Sequence, residues 1–153
     1  MPTNLEVSIE INAAPEKVWA TVSDLTQMPK WSPQTRKVIV RGGQLGKGSK
    51  MVNVNKLGWR VWPTQSMVTV FEPGRTIAWR VKENHATWSF DLEPLDDGAR
   101  TKLVERRDVS GGTTAVSKQL IDKVMGGEES FEKGLTSGMR QTLQRIRSQV
   151  ESA

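Results

Sequence analysis

The sequence predicts an α+β fold in which an antiparallel sheet precedes a long C-terminal helix. Three observations carry this. Leu5, Val7, Ile9 and Ile11 alternate with Glu6, Ser8, Glu10 and Asn12, the period of a half-buried strand. From about residue 35 to 109, short strand-like runs are divided by turn residues, the spacing of an antiparallel meander. After Gly111-Gly112 the period lengthens: Phe131, Leu135, Met139, Leu143, Ile146 and Val150 recur every three or four residues, one face of a helix.

Each element has its own signal. Pro15 sits where a first helical residue is favoured, and Val18, Trp19 and Val22 give the segment after it one apolar stripe. Asp24 and Gln27 have the spacing of a capping box for a second short helix, which Pro29 and Pro33 are expected to end, bracketing Trp31. Strands are then expected over 35–41, 49–57, 60–71, 76–82, 86–93 and 100–109. The breaks between them include Leu57-Gly58, Pro73-Gly74, Glu83-Asn84 and Asp97-Gly98. Residues 115–125 are expected to form a separate short helix hinged at Gly126-Gly127. In the final helix Glu128 and Glu129 lie at the front and Arg145 and Arg147 near the back, as the helix dipole prefers. With no internal repeat, low-complexity segment or linker, residues 1–153 are expected to form a single domain.

Composition excludes several chemistries. There is no cysteine, so disulfide scaffolds, thiolate metal sites and cysteine nucleophiles are out. The one histidine, His85, sits beside an expected turn and cannot build a multi-histidine site; no metal or cofactor is expected. Gly43 to Gly48 faintly resembles a phosphate loop, but a strand pattern follows it instead of a helix, and no nucleophile elbow occurs. The first residues lack a basic region followed by an apolar stretch, and no apolar run exceeds three residues. A cytoplasmic protein without integral membrane association, monomeric or homodimeric, is the expectation. Charge is uneven: residues 34–80 hold nine basic side chains and one acidic one, against +5 for the whole chain. Dispersed over several strands, these cations fit a solvated sheet face that discourages edge pairing. They lack a recognition helix or aromatic ribonucleoprotein motifs, so no sequence-specific nucleic acid is expected.

Strand register points to a site. If Glu83-Asn84 is a two-residue turn, Trp79 lies opposite Trp88 and Ile77 opposite Phe90. If Asp97-Gly98 is the next, Leu92 faces Leu103, Phe90 faces Glu105 and Trp88 faces Arg107. Glu105 and Arg107 then stand on one aromatic surface as a same-face pair. A three-residue loop would instead turn Lys102, Val104 and Arg106 inward, burying two cations without a partner, so the first register is preferred. The pair serves either to tie sheet to helix or to contact a ligand.

The element order, with Ile11-Asn12-Ala13-Ala14-Pro15-Glu16-Lys17-Val18-Trp19, Pro29-Lys30-Trp31-Ser32-Pro33, Phe71-Glu72-Pro73-Gly74-Arg75 and Leu92-Glu93-Pro94-Leu95-Asp96-Asp97-Gly98, resembles the SRPBCC superfamily, in particular its bacterial polyketide cyclase/dehydrase type. The resemblance spans nearly the whole chain. It implies a START-like helix-grip fold: a seven-stranded curved antiparallel sheet wrapped around the long C-terminal helix, with two short helices after strand 1 and an apolar cavity inside. Six of the nine aromatic residues are Trp, which fits a lined cavity. Its expected wall is Trp79, Trp88, Phe90, Leu103, Phe131, Leu135 and Met139, with Trp31 and Met125 near the mouth. The resemblance implies a partner that is a small hydrophobic molecule of lipid, polyketide or isoprenoid type, with Glu105 and Arg107 as its polar contacts. The alternative is a cyclase or dehydratase in which Glu105 is the general base and Arg107 stabilises an enolate. The absence of Tyr leaves few proton-transfer groups and weighs against catalysis. A further alternative is a protein-interaction module using the basic surface at 34–80.

Overall fold

The alternation at the start of the chain builds strand β1 (Leu5–Ile11), with Val7 and Ile11 turned into the core. The structure, a computed structural model, describes residues 4–42, 45–109 and 128–152. Helix α1 (Pro15–Val22) starts on Pro15, where a missing N–H leaves no hydrogen bond unmade, and it buries Val18 and Val22. Asp24 caps a single 3-10 turn, accepting from the Thr26 N–H at 3.2 Å, and helix α2 (Met28–Trp31) follows directly. Here the expectation for Pro29 is corrected: it lies within the first turn of α2 and does not end it, because the N–H it lacks has no partner there anyway.

Six strands follow: β2 (Thr35–Val40), β3 (Lys50–Leu57), β4 (Arg60–Glu72), β5 (Thr76–Val81), β6 (Thr87–Leu95) and β7 (Arg100–Asp108). With β1 they form a seven-stranded sheet in the order β1-β7-β6-β5-β4-β3-β2, antiparallel throughout. Consecutive hairpins make every pairing except β1 with β7, and α1 and α2 carry the chain from one sheet edge to the other. Irregularities between Thr35 and Lys37 and between Val68 and Val70 add local bend.

Helix α3 (Glu128–Ser152) lies against β1, β7, α1 and α2, and its Leu135, Met139, Leu143, Ile146 and Val150 are buried. The sheet grips this helix, and the core fills the space between them. The helix expected over 115–125 lies outside the described residues.

Two hairpins set the geometry of the site. Between β6 and β7, Asp96 (φ 51°), Asp97 (φ 55°, ψ 31°) and Gly98 (φ 91°) are all left-handed, and the Ala99 N–H closes the turn on Asp96 O at 3.2 Å, which keeps the register of a two-residue Asp97-Gly98 turn. Between β5 and β6 the connection is longer than the expected Glu83-Asn84 turn. The Val81 N–H donates to Ala86 O at 2.8 Å, leaving residues 82–85 as the loop. Its Asn84 side chain accepts from the Ala86 N–H at 2.9 Å. A loop of four residues keeps the pairing of a loop of two, so Trp79 still faces Trp88.

Candidate functional site

On the inner face of the sheet, side chains from alternate positions line up across strands. One row runs Val7, Glu105, Phe90 and Ile77; the next runs Leu5, Arg107, Trp88, Trp79 and Val68. Glu105 and Arg107 therefore point inward, each 2% exposed. Their neighbour Arg106 points outward, where it forms ion pairs with Glu6 at 2.7 Å and with Asp91.

Between this face and α3 lies a cavity of about 130 Å³. A single water needs on the order of 10–15 Å³ measured in the same way, so there is room for a small organic molecule. The apolar wall is Leu25 and Met28 from the α1–α2 segment, Val38, Met51, Trp62, Trp79, Val81 and Trp88 from the sheet, and Leu135 and Met139 from α3. The other ten lining residues are polar: Ser32, Gln34, Thr35, Asn53, Asn55, Thr64, Asn84, Glu105, Arg107 and Thr142. A cavity this polar suits an apolar molecule that carries oxygens better than a pure hydrocarbon.

The polar side chains are held in place by one another. Asn53 donates from Nδ2 to Ser66 Oγ at 2.8 Å, and Asn55 donates from Nδ2 to Thr64 Oγ1 at 2.9 Å and to Trp62 O at 3.2 Å. Gln34 donates from Nε2 to Gly134 O on α3 at 2.7 Å. A Cβ at Gly138 would come within 2.7 Å of Gln34 Oε1, so glycine there lets the amide lie across the helix. Thr142 turns its hydroxyl onto Gly138 O at 2.8 Å.

Glu105 differs from these. Its Oε1 is buried without a hydrogen-bond partner among the described residues. Flanked by Val7 and Phe90, the carboxyl loses its water, and this desolvation pushes its pKa up to about 8. Arg107 stands on the same inward face, two residues along β7. The two share a face, but desolvation decides the state of the carboxyl, which is largely protonated at neutral pH. A protonated Glu105 can donate a hydrogen bond or a proton into the cavity.

Of the residues expected at the site, Trp79, Trp88, Glu105, Arg107, Leu135 and Met139 line the cavity. Phe90 and Leu103 do not. Both are fully buried, Phe90 packed 5.8 Å from the Trp79 ring, and they close the core beneath the cavity. Trp31 is also core, 7% exposed with its indole N–H unpartnered among the described residues, because α2 turns it inward instead of toward the mouth. Met125 and the Phe131 side chain lie outside the described residues. Sequence reasoning missed Asn53, Asn55 and Thr64. In β3 the apolar alternation of Val52 and Val54 suggests that the valines face in, yet the asparagines do. Among the described residues no three His, Asp or Glu side chains gather as a metal site.

The family described as "Polyketide cyclase / dehydrase and lipid transport" matches residues 2–151. No curated protein matches. Among solved structures, the chain is similar to the Zhui aromatase/cyclase of Streptomyces sp. R1128, with TM-score 0.77 and 21% identity, covering 97% of this chain and 93% of that one. It is similar to a Polyketide_cyc-like protein of Corynebacterium glutamicum, with TM-score 0.60 and 31% identity over 99% of this chain and 94% of that one. It also superposes on the two-domain aromatase/cyclase of the steffimycin biosynthetic pathway, with TM-score 0.72 and 10% identity over 97% of this chain and 50% of that one.

Proposed function

This chain belongs to the polyketide cyclase/dehydrase and lipid transport family, and on that premise we propose that it binds one small, mainly apolar molecule of lipid, polyketide or isoprenoid type between sheet and α3. Family membership carries a hydrophobic-ligand-binding or polyketide-cyclase role. The observation that favours binding of an oxygen-bearing ligand is the cavity itself, with its Trp79, Trp88, Leu135 and Met139 wall and a buried Glu105 carboxyl oxygen that has no hydrogen-bond partner among the described residues. A ligand carbonyl or hydroxyl placed there would accept from protonated Glu105, while rings or chains meet the tryptophans. Arg107 and the second N–H of the Asn53 amide would donate to further ligand oxygens, and Asn55, whose N–H bonds already go to Trp62 O and Thr64 Oγ1, would accept from a ligand hydroxyl. The test is mass spectrometry of small molecules that co-purify with the protein, followed by titration of the extracted molecule against Trp emission. One ligand per chain is expected, with Glu105→Leu weakening it about tenfold for one lost hydrogen bond. Met139→Trp, which fills the cavity, should abolish binding. A protein that copurifies with nothing and whose emission answers to no apolar ligand would refute the reading.

A second reading, cyclisation or dehydration of a poly-carbonyl chain, is favoured by one feature: the raised pKa of Glu105. With the group largely protonated, its role there is general acid to a carbonyl or a departing hydroxyl, in place of the general base expected from sequence. Turnover of a model polyketide that stops in Glu105→Gln and declines above pH about 8 would select this reading. Ligand binding without turnover would select the first.

A further inference from the structure

Strands β2 to β4 carry their polarity inside out. Asn53, Asn55 and Thr64 face the cavity, whereas Ile39, Val61 and Met67 stand 44%, 50% and 43% exposed on the outer face. Trp59 is 81% exposed at the tip of the β3–β4 hairpin, beside Gly58. Together these four are the exposed large apolar side chains among the described residues, and all belong to β2, β4 or the hairpin between β3 and β4.

The same face is cationic. Cross-strand pairing sets Lys50 and Arg80 on either side of Met67, Lys56 opposite Val61, and Lys37 opposite Val54, next to Ile39. None of these four cations makes an ion pair among the described residues. The outer face of β1, β7 and β6 is built otherwise: Arg106 is paired with Glu6 and Asp91, and Arg100 with Glu10. In residues 34–80 the only acid is Glu72, at the far end of β4 from the hairpin. Arg60 lies 5.0 Å over the Trp59 ring, so the protruding indole is itself accompanied by a cation. A second copy of the chain would bring like charges together. Single apolar side chains set among lysines, led by an exposed tryptophan, match the layered chemistry of a bilayer surface, with anionic headgroups outside and acyl chains just beneath.

We propose that the outer face of β2–β4, led by the Trp59 hairpin, docks on a bilayer containing anionic lipids. The pair Asn55 and Trp62 lies three residues from the hairpin tip on either strand and lines the cavity, so docking would bring that end of the cavity to the membrane. The inference is independent of what the cavity holds, and protein stripped of ligand should dock equally well.

Vesicle flotation tests it. Phosphatidylcholine vesicles with about 30% phosphatidylserine should carry the protein, and pure phosphatidylcholine vesicles should not. Salt near 1 M, where the screening length is about 3 Å, should release it. Neutralising Lys37, Lys50 and Lys56 together to Gln should weaken partitioning by about a hundredfold, at roughly fivefold per cation. Trp59→Ser should weaken it as well, while Arg147→Gln, on the exposed side of α3, should leave it unchanged. All these side chains except Trp59 and Arg147 lie within the sheet face yet are exposed, so an unchanged thermal melt will show that the variants fold. Failure to bind anionic vesicles, or binding indifferent to both β2–β4 variants, overturns the proposal. Tighter binding to a random oligonucleotide than to vesicles overturns it in favour of a general polyanion surface.

Discussion

At Glu105, two apolar neighbours across the sheet, Val7 and Phe90, remove water from a carboxyl that an exposed strand would leave ionised. In the unfolded chain this group titrates near 4.5, and in the fold near 8. Below the first value both states are protonated and the group does not oppose folding. Between the two, the unfolded state releases a proton that the fold retains, so stability falls as pH rises, by up to about 1.4 kcal/mol per pH unit. Above about 8 the loss is complete. Urea unfolding at several pH values should therefore show wild type losing stability across this window while Glu105→Gln stays comparatively flat. Parallel curves would mean that the carboxyl reaches water. Gly138 poses a subtler balance. Gly138→Ala gains about 1 kcal/mol of helix propensity but displaces the Gln34 amide from its bond to Gly134 O, a loss of similar size. The single change should lie within about 1 kcal/mol of wild type, and the two substitutions Gly138→Ala and Gln34→Ala should prove non-additive in a double-mutant cycle.

Among the elements, α3 carries the greatest single apolar stripe. Leu143 is 1% exposed between sheet and helix, so Leu143→Ala should cost about 2–5 kcal/mol by leaving a void. A urea midpoint unchanged within error would mean that this face is not packed. The β6–β7 hairpin shows how a local turn decides a remote site. The left-handed run Asp96-Asp97-Gly98 closes the turn, and the resulting register turns Glu105 and Arg107 inward and Arg106 out to Glu6 and Asp91. That much was legible, because turn chemistry and the cost of burying lone cations agreed. Strand β3 was not legible in the same way. Its alternation is real, but Val52 and Val54 face outward while Asn53 and Asn55 join Met51 on the inner face, since an internal cavity accepts amides where a filled core would not.

For the molecule as a whole, a ligand that binds only the folded state should raise its stability by about 2.7 kcal/mol at a hundredfold excess over the dissociation constant. A calorimetric scan with the co-purified molecule would show this as a higher Tm, and the shift should vanish in Met139→Trp. If Glu105 donates to the ligand, the shift should also shrink above pH about 8, where its proton is lost. The seven strands, the C-terminal helix and the inward register of β7 are written in the chain, because periodicity, turn residues and charge placement are local signals that agree with one another. Which inward residues meet open space and which meet one another depends on the folded packing. Phe90 and Leu103 share their strand faces with cavity-lining residues yet are sealed in the core, and Asn53 and Asn55 reach the cavity from β3, where Val52 and Val54 suggested otherwise. The depth of packing beneath α3 depends on how far the sheet bends around it, and no neighbouring residues in the chain encode that distance.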